Sequence, residues 1–243
     1  MALETTALFT ELHTARFWID LVQIIGINIL LSGDNAVVIA LASRSLPDHQ
    51  RRMAVLGGSA AAVVLRITLC LIIESLLQVR FLKLVGGLLL LYIGVNLLSD
   101  EENTDEIAAH SHMWGAIRTI LIADAVMSLD NVVAIAAAAH DSVLLITLGL
   151  VISIPLIVFG SQLILKVMGR FPVIITVGAA LIGWIAGDVG ITDVAVHPYV
   201  EGYGSSVHYA AKIAGAAFVV ILGKALATRA EKKRKPAIDL EGN

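Results

Sequence analysis

Seven apolar runs, each about as long as a bilayer is thick, decide what this chain can become. They fall at about 17–43, 54–77, 81–98, 113–139, 143–165, 171–188 and 207–227. A helix needs about 20 apolar residues to cross the hydrocarbon core. Only helices and closed barrels satisfy their own backbone polar groups there. The runs therefore predict an all-α, polytopic membrane protein with seven transmembrane helices. Hydrophobic residues make up 58% of the chain and charged residues 15%, with a mean hydropathy of +0.87. A soluble domain carries about 25% charged residues. The lone cysteine, Cys70, lies inside an apolar run, so no disulfide framework exists. Residues 1–16 are polar and lack the layout of a signal peptide.

Lysine and arginine set the orientation. With the N-terminus outside, the inner segments hold Arg44, Arg51, Arg52, Lys166, Arg170, Lys224, Arg229, Lys232, Lys233, Arg234 and Lys235. The outer segments hold only Arg16, Arg80 and Lys83. The bias predicts an N-terminus outside and a C-terminus in the cytoplasm, the tail supplying over half of it.

The runs also repeat. Asp34 and Asp130 lie 96 positions apart, as do Asn28 and Asp124, Ser32 and Ser128, and Asn35 and Asn131. Val85-Gly86-Gly87, Tyr92-Ile93 and Asn96 return as Val177-Gly178-Ala179, Trp184-Ile185 and Asp188, at an offset of 92. Helices one to three (about 17–98) thus resemble helices four to six (about 113–188). Three spans per copy force the copies to insert in opposite senses, an inverted repeat of the kind that builds transporters around a polar interface. An acidic, histidine-bearing inner loop (99–112), an outer loop (189–206), helix seven (about 207–227) and a basic tail (228–243) complete a single transmembrane domain.

A carboxylate at bilayer depth costs roughly 2.5–3.5 kcal/mol on insertion scales. Asp34, Asp124 and Asp130 carry that cost beside Asn28, Asn35 and Asn131. Positions 28, 32 and 35 share one helix face, as do 124, 128 and 131. Asp34 and Asp130 sit roughly 100° off that stripe and join it at its edge or through a helix break. Gly33 favours such a break in the first copy; Leu129 stands in its place in the second. A carbonyl freed near Ser32 or Ser128 adds a further oxygen ligand. The blander reading, hydrogen-bond glue between helices, does not call for three carboxylates. An oxygen-only set favours hard divalent ions, Mn²⁺, Mg²⁺ or Ca²⁺, without separating them. Arg66, midway along helix two, is read as the ion partner of a site carboxylate rather than a snorkelling side chain. It would neutralise the site until a metal displaces it.

Asp20, Glu74 and Asp188 stand near outer helix ends, as vestibule residues or simply wetted acids. Arg118 and Lys212 snorkel. The loop acids Asp100, Glu101, Glu102, Asp105 and Glu106, with His110 and His112, read as a solvated linker or a weak metal collector. His140-Asp141 marks a helix end. Gly86, Gly87, Gly94, Gly178, Gly183 and Gly187 let helices approach closely. No phosphate loop, catalytic triad, HExxH or nucleic-acid patch is present, so neither an enzyme nor a nucleic-acid partner is expected, and no cofactor.

The segments Leu31-Ser-Gly-Asp-Asn-Ala-Val-Val-Ile-Ala-Leu-Ala42 and Ala123-Asp-Ala-Val-Met-Ser-Leu-Asp-Asn-Val-Val-Ala-Ile-Ala136 resemble the paired signatures of the TerC family. These membrane proteins were first linked to tellurium resistance and are similar in plan to the LysE-type exporters. The resemblance covers nearly the whole chain. It implies a seven-helix protein of the bacterial inner membrane that exports Mn²⁺, with Asp34, Asn35, Asp124, Asp130 and Asn131 as ligands. Many members carry Glu six residues before the first Asp; this chain has Asn28 and resembles the branch with Asn there, one negative charge fewer. The partners expected are the lipid bilayer, a divalent metal substrate, and a second copy or a secretion-related membrane protein. The alternatives are a membrane component that hands metal to secreted proteins, and an exporter of Ca²⁺ or a small organic cation.

Overall fold

The computed structural model describes residues 15–99, 109–139 and 142–238, and all regular structure among them is helical. In chain order the helices are α1 (Ala15–Leu31), α2 (Gly33–Ser43), α3 (Asp48–Leu77), α4 (Leu82–Ser99), α5 (Ala109–Ala138), α6 (Val143–Arg170), α7 (Val173–Ile191), α8 (His197–Val200) and α9 (Ser205–Ile238). The loop acids 100–106, His140-Asp141 and the end of the tail lie outside the described residues. The side chains of His110 and His112 do too.

The helices outrun the apolar stretches because polar residues start and finish them. α3 starts at Asp48, behind Pro47 with an extended backbone (φ −54°, ψ 150°), and an acid in a first turn suits the helix dipole. Ser142 caps α6 by accepting the Leu145 N–H at 3.4 Å, and Arg170 closes its last turn. Five of these helices are long and apolar enough to cross a membrane: α3, α4, α6, α7 and α9. The pair α1 and α2, bent by 50° at a one-residue break, makes a sixth if taken as one span. α5, expected to cross as well, is 30 residues long and bears Arg118, Asp124 and Asp130; its described residues alone fall outside that set.

The break between α1 and α2 is where the first Asp-Asn motif sits. Ser32 leaves helical geometry (φ −109°, ψ 4°). Gly33 resumes it with an ordinary backbone, and a Cβ there would meet nothing within 4 Å. The break is therefore not imposed by glycine. It is held by the second motif: Asn131 Nδ2 donates at 3.1 Å to the freed carbonyl of Leu31. α5 runs through Ser128, Leu129 and Asp130 without interruption.

One buried cluster joins α2, α4, α5 and α7 through Leu41, Leu90, Ile120 and Ile182. Another joins α1, α3, α5 and α6 through Ile24, Val63, Ile135 and Leu150. α9 lies along α7 and α4. A Cβ on Gly187 would strike the backbone of Ala211 and one on Gly215 that of Gly183, so only these small residues permit the approach. Leu30, Val173 and Ile221 are largely exposed, as a lipid-facing surface requires.

Two polar side chains tie the ends together. Arg51 donates to the carbonyls of Ser43, Arg44 and Leu46 (3.3, 3.2 and 2.8 Å), closing the end of α2. Asp193, fully buried after α7, accepts the N–H groups of Phe81, Lys83 and Leu84 at 3.0–3.1 Å and of Ala195 at 2.7 Å. It thereby caps α4 from across the fold and steadies Phe81 in the left-handed region, φ 66°. Burial alone would raise its pKa; the four backbone donors outweigh that and hold the carboxyl below its ordinary value.

Candidate cation site

At the centre of the bundle sits Arg66, 2% exposed on α3. An arginine cannot shed its proton, so every N–H it brings inside needs an acceptor. Nη2 donates to Asp124 Oδ1 at 2.5 Å and Nε to Ser128 Oγ at 3.0 Å. Nη1 donates to Asn28 Oδ1 at 2.7 Å and Ser32 Oγ at 3.0 Å. The four acceptors come from two places: α1 with the break after it, and α5. They form two pairs, 28 with 124 and 32 with 128, each 96 positions apart. The helix-face argument thus reaches from the sequence to the site: residues at i and i+4 on each stripe meet one guanidinium.

A second ring of contacts fixes the acceptors. Asn35 Nδ2 donates to Asp124 Oδ1 at 3.1 Å, and Ser128 Oγ to Asp124 Oδ2 at 3.3 Å. Ser32 Oγ donates to Asn28 Oδ1 at 3.1 Å, while Asn28 Nδ2 donates to Ser153 Oγ on α6. Ser153 Oγ in turn donates to the Gly149 carbonyl. One atom is left over: Asn35 Oδ1 is buried with no hydrogen-bond partner. A carbonyl oxygen without a donor, beside a carboxylate, is an open acceptor for a cation.

The other expected site residues divide. Asp34, half-buried, turns Oδ1 back to the Asn35 N–H at 2.8 Å, within electrostatic reach of Arg66 and Asp124. Asn131 spends its amide on the broken helix. Asp130 is not in the cluster: its side chain is 49% exposed and pairs with Lys83 at the start of α4. The physical reason is that α5 does not break, so Asp130 keeps its place off the stripe. Among the described residues no three acids, histidines or cysteines gather where they would hold a metal between them. The site is one carboxylate, amides and hydroxyls around a cation, not a cage of three carboxylates.

Of the end-of-helix acids, Asp20 lies 3.8 Å from Arg16. Asp188 pairs with Lys212 at 2.9 Å and approaches His208 at 3.7 Å, while Lys212 lies over the rings of Trp184 and Tyr209. Lys212 is thus paired rather than snorkelling. Neither acid meets the Arg66 cluster, and the Glu74 side chain lies outside the described residues. Ser153 went unrecognised in the sequence; its signal was a serine two residues before Pro155 in an apolar run, where a hydroxyl has little else to bond.

The model of the integral membrane protein TerC family matches residues 13–233 of this chain. The chain belongs to the TerC family. It is 40% identical over 205 residues to the uncharacterized membrane protein YjbE of Bacillus subtilis (strain 168), covering 84% of this chain and 94% of that one. It is 27% identical over 188 residues to the uncharacterized membrane protein YkoY of the same organism, covering 69% of this chain and 58% of YkoY. To the UPF0053 inner membrane protein YoaE of Escherichia coli (strain K12) it is 26% identical over 179 residues, 65% of this chain but only 34% of YoaE. No solved structure matches the chain. This TerC protein is therefore a multi-pass integral membrane protein, and the Arg66 cluster lies inside the region the family shares.

Proposed function

We propose that this TerC protein is a secondary transporter that carries Mn²⁺ from the cytoplasm outwards through the Asp124 site. The observation that carries the reading is Arg66 itself: four oxygen atoms from two elements converge on one buried cation. Hard oxygens arranged for a guanidinium also suit a divalent ion, and Asn35 Oδ1 waits unbonded beside them. Arg66 holds the site while cargo is absent. An arriving ion takes Asp124, and Arg66 swings aside, so the buried carboxylate is never left without a positive charge.

The pairing of helices between the two sequence copies supports this reading. α1 and α2 pack on α6 as α5 packs on α3. A Cβ on Gly58 would meet Ile120, and one on Gly149 would meet Ile24; positions 24 and 120 are again 96 apart. Related crossings on both sides of a central polar site suit two halves that rock about it. Mn²⁺ leaving against an inside-negative potential is opposed by about 2.3 kcal/mol per charge per 100 mV. Returning protons are the simplest compensation, carried by Asp124 and Asp34.

The test is ion flux in liposomes holding the purified protein: Mn²⁺ beside Ca²⁺, Mg²⁺ and Zn²⁺, wild type beside Asp124→Asn and Asp34→Asn. Mn²⁺ flux that disappears in Asp124→Asn supports the proposal. Flux that survives in that variant, or no flux of any ion by folded wild type, overturns it.

A further inference from the structure

A cavity of about 1110 Å³ opens at the end of the bundle where α2 finishes, α3 starts, α6 finishes and α7 starts. Among the described residues its walls carry Arg44, Arg51, Arg52 and Lys166 and one acid, Asp48. Asp48 is already engaged by Arg51 at 2.9 Å. With Arg51 and Asp48 paired, Arg52 and Lys166 are the lining cations left without an acid among the described residues. They stand on α3 and α6, and both are exposed. Gln162 and Thr176 add neutral donors, and Val55, Leu98 and Ile175 add apolar wall.

Charge bias at a membrane face needs only that basic residues lie on one side. It does not require residues from the start of α3 and the end of α6 to line one chamber. A divalent cation gains nothing from such walls, so the chamber is not explained as the approach to Asp124. A multiply charged anion gains charge-assisted hydrogen bonds from guanidinium groups, whose fork suits phosphate oxygens.

We propose that this chamber binds a phosphate group, held by Arg52 and Lys166. The site does not rest on cation transport and stands whether or not Asp124 carries an ion. The phosphate arrives either on an anionic lipid headgroup, with its acyl chains against the apolar wall, or on a soluble anion from the aqueous side.

The experiment uses the full chain in nanodiscs of purely zwitterionic lipid. Binding is read by native mass spectrometry on adding cardiolipin in one arm and inorganic pyrophosphate in the other. The variant Arg52→Gln/Lys166→Gln is set beside the charge-matched control Arg80→Gln/Arg118→Gln, which removes two positive charges from residues that do not line the chamber. Thermal unfolding without ligand establishes that both variants are folded. Cardiolipin or pyrophosphate bound by wild type and control, and about tenfold or more weaker in the chamber variant, supports the site; the arm that responds names the source. Equal weakening in both variants, or no binding of either probe by wild type, overturns it.

Discussion

A guanidinium inside an apolar bundle needs acceptors, and four hydrogen bonds from Arg66 run to oxygens of Asn28, Ser32, Asp124 and Ser128. Removing one member of such a buried pair strands the other charge, at a cost of about 3–5 kcal/mol. Arg66→Gln and Asp124→Asn should each destabilise by about that much, whereas the double variant should cost clearly less than the two together. Unfolding in detergent measures the cycle; additive costs would mean the pair is not coupled. Asp193 offers a second test. Its Oδ1 and Oδ2 each take two backbone N–H groups. Asparagine would set an amide donor against two of them, so Asp193→Asn should cost about 2–3 kcal/mol at neutral pH. Because its pKa is lowered on folding, the carboxylate's contribution is full above the ordinary carboxylate pKa near 3.9. It is lost as pH falls through the lower folded value. The stability gap between wild type and variant should therefore be flat from about pH 7 to 5 and close only below about pH 4. The Arg66 pairing was legible in the sequence because charge at bilayer depth has few explanations. Asp193 was not, because a single acid in a loop does not announce a partner more than a hundred positions away.

At the scale of elements, the broken α1–α2 span was foreseen from Gly33, yet its cause lies in the other repeat. Gly33 has an ordinary backbone and open space where a Cβ would stand. The freed Leu31 carbonyl is met by Asn131. Gly33→Ala should accordingly leave the break intact, while Asn131→Ala should leave a carbonyl unsatisfied, at a cost of about 1–3 kcal/mol. Hydrogen exchange over residues 28–36 separates the two: faster in Asn131→Ala and unchanged in Gly33→Ala. Acceleration in Gly33→Ala alone would restore the glycine as the cause. Helix limits were legible to within a few residues where a cap sits close to the apolar run, as Ser142 does for α6. They were missed where polar turns extend the helix, as at Asp48. Periodicity reports burial, and solvated helical turns carry none.

For the whole molecule, the two repeats put their equivalent acids to different use. Asp34 has no lysine or arginine bonded to it among the described residues, while its counterpart Asp130 is paired with Lys83. Lys83 begins α4 in the first repeat and Asp130 lies on α5 in the second, so the pair is a strut between the halves. The sequence treated Asp34 and Asp130 alike because it shows the repeat but not the break that separates their surroundings. A strut and an ion ligand make opposite predictions. If Asp130 joins the halves through Lys83, then Lys83→Gln and Asp130→Asn lose the same contact and should alter Mn²⁺ flux alike. The change should be about fivefold or less, since a pair this exposed contributes about 1 kcal/mol at most. Were Asp130 a ligand for the carried ion, Asp130→Asn would abolish flux as the proposed function expects of Asp124→Asn, and Lys83→Gln would not. Initial flux rates of the three variants in one set of liposomes decide between them. The geometry favours matched, modest effects at 83 and 130 and complete loss at 124, because only Asp124 is buried among oxygens that already hold a cation.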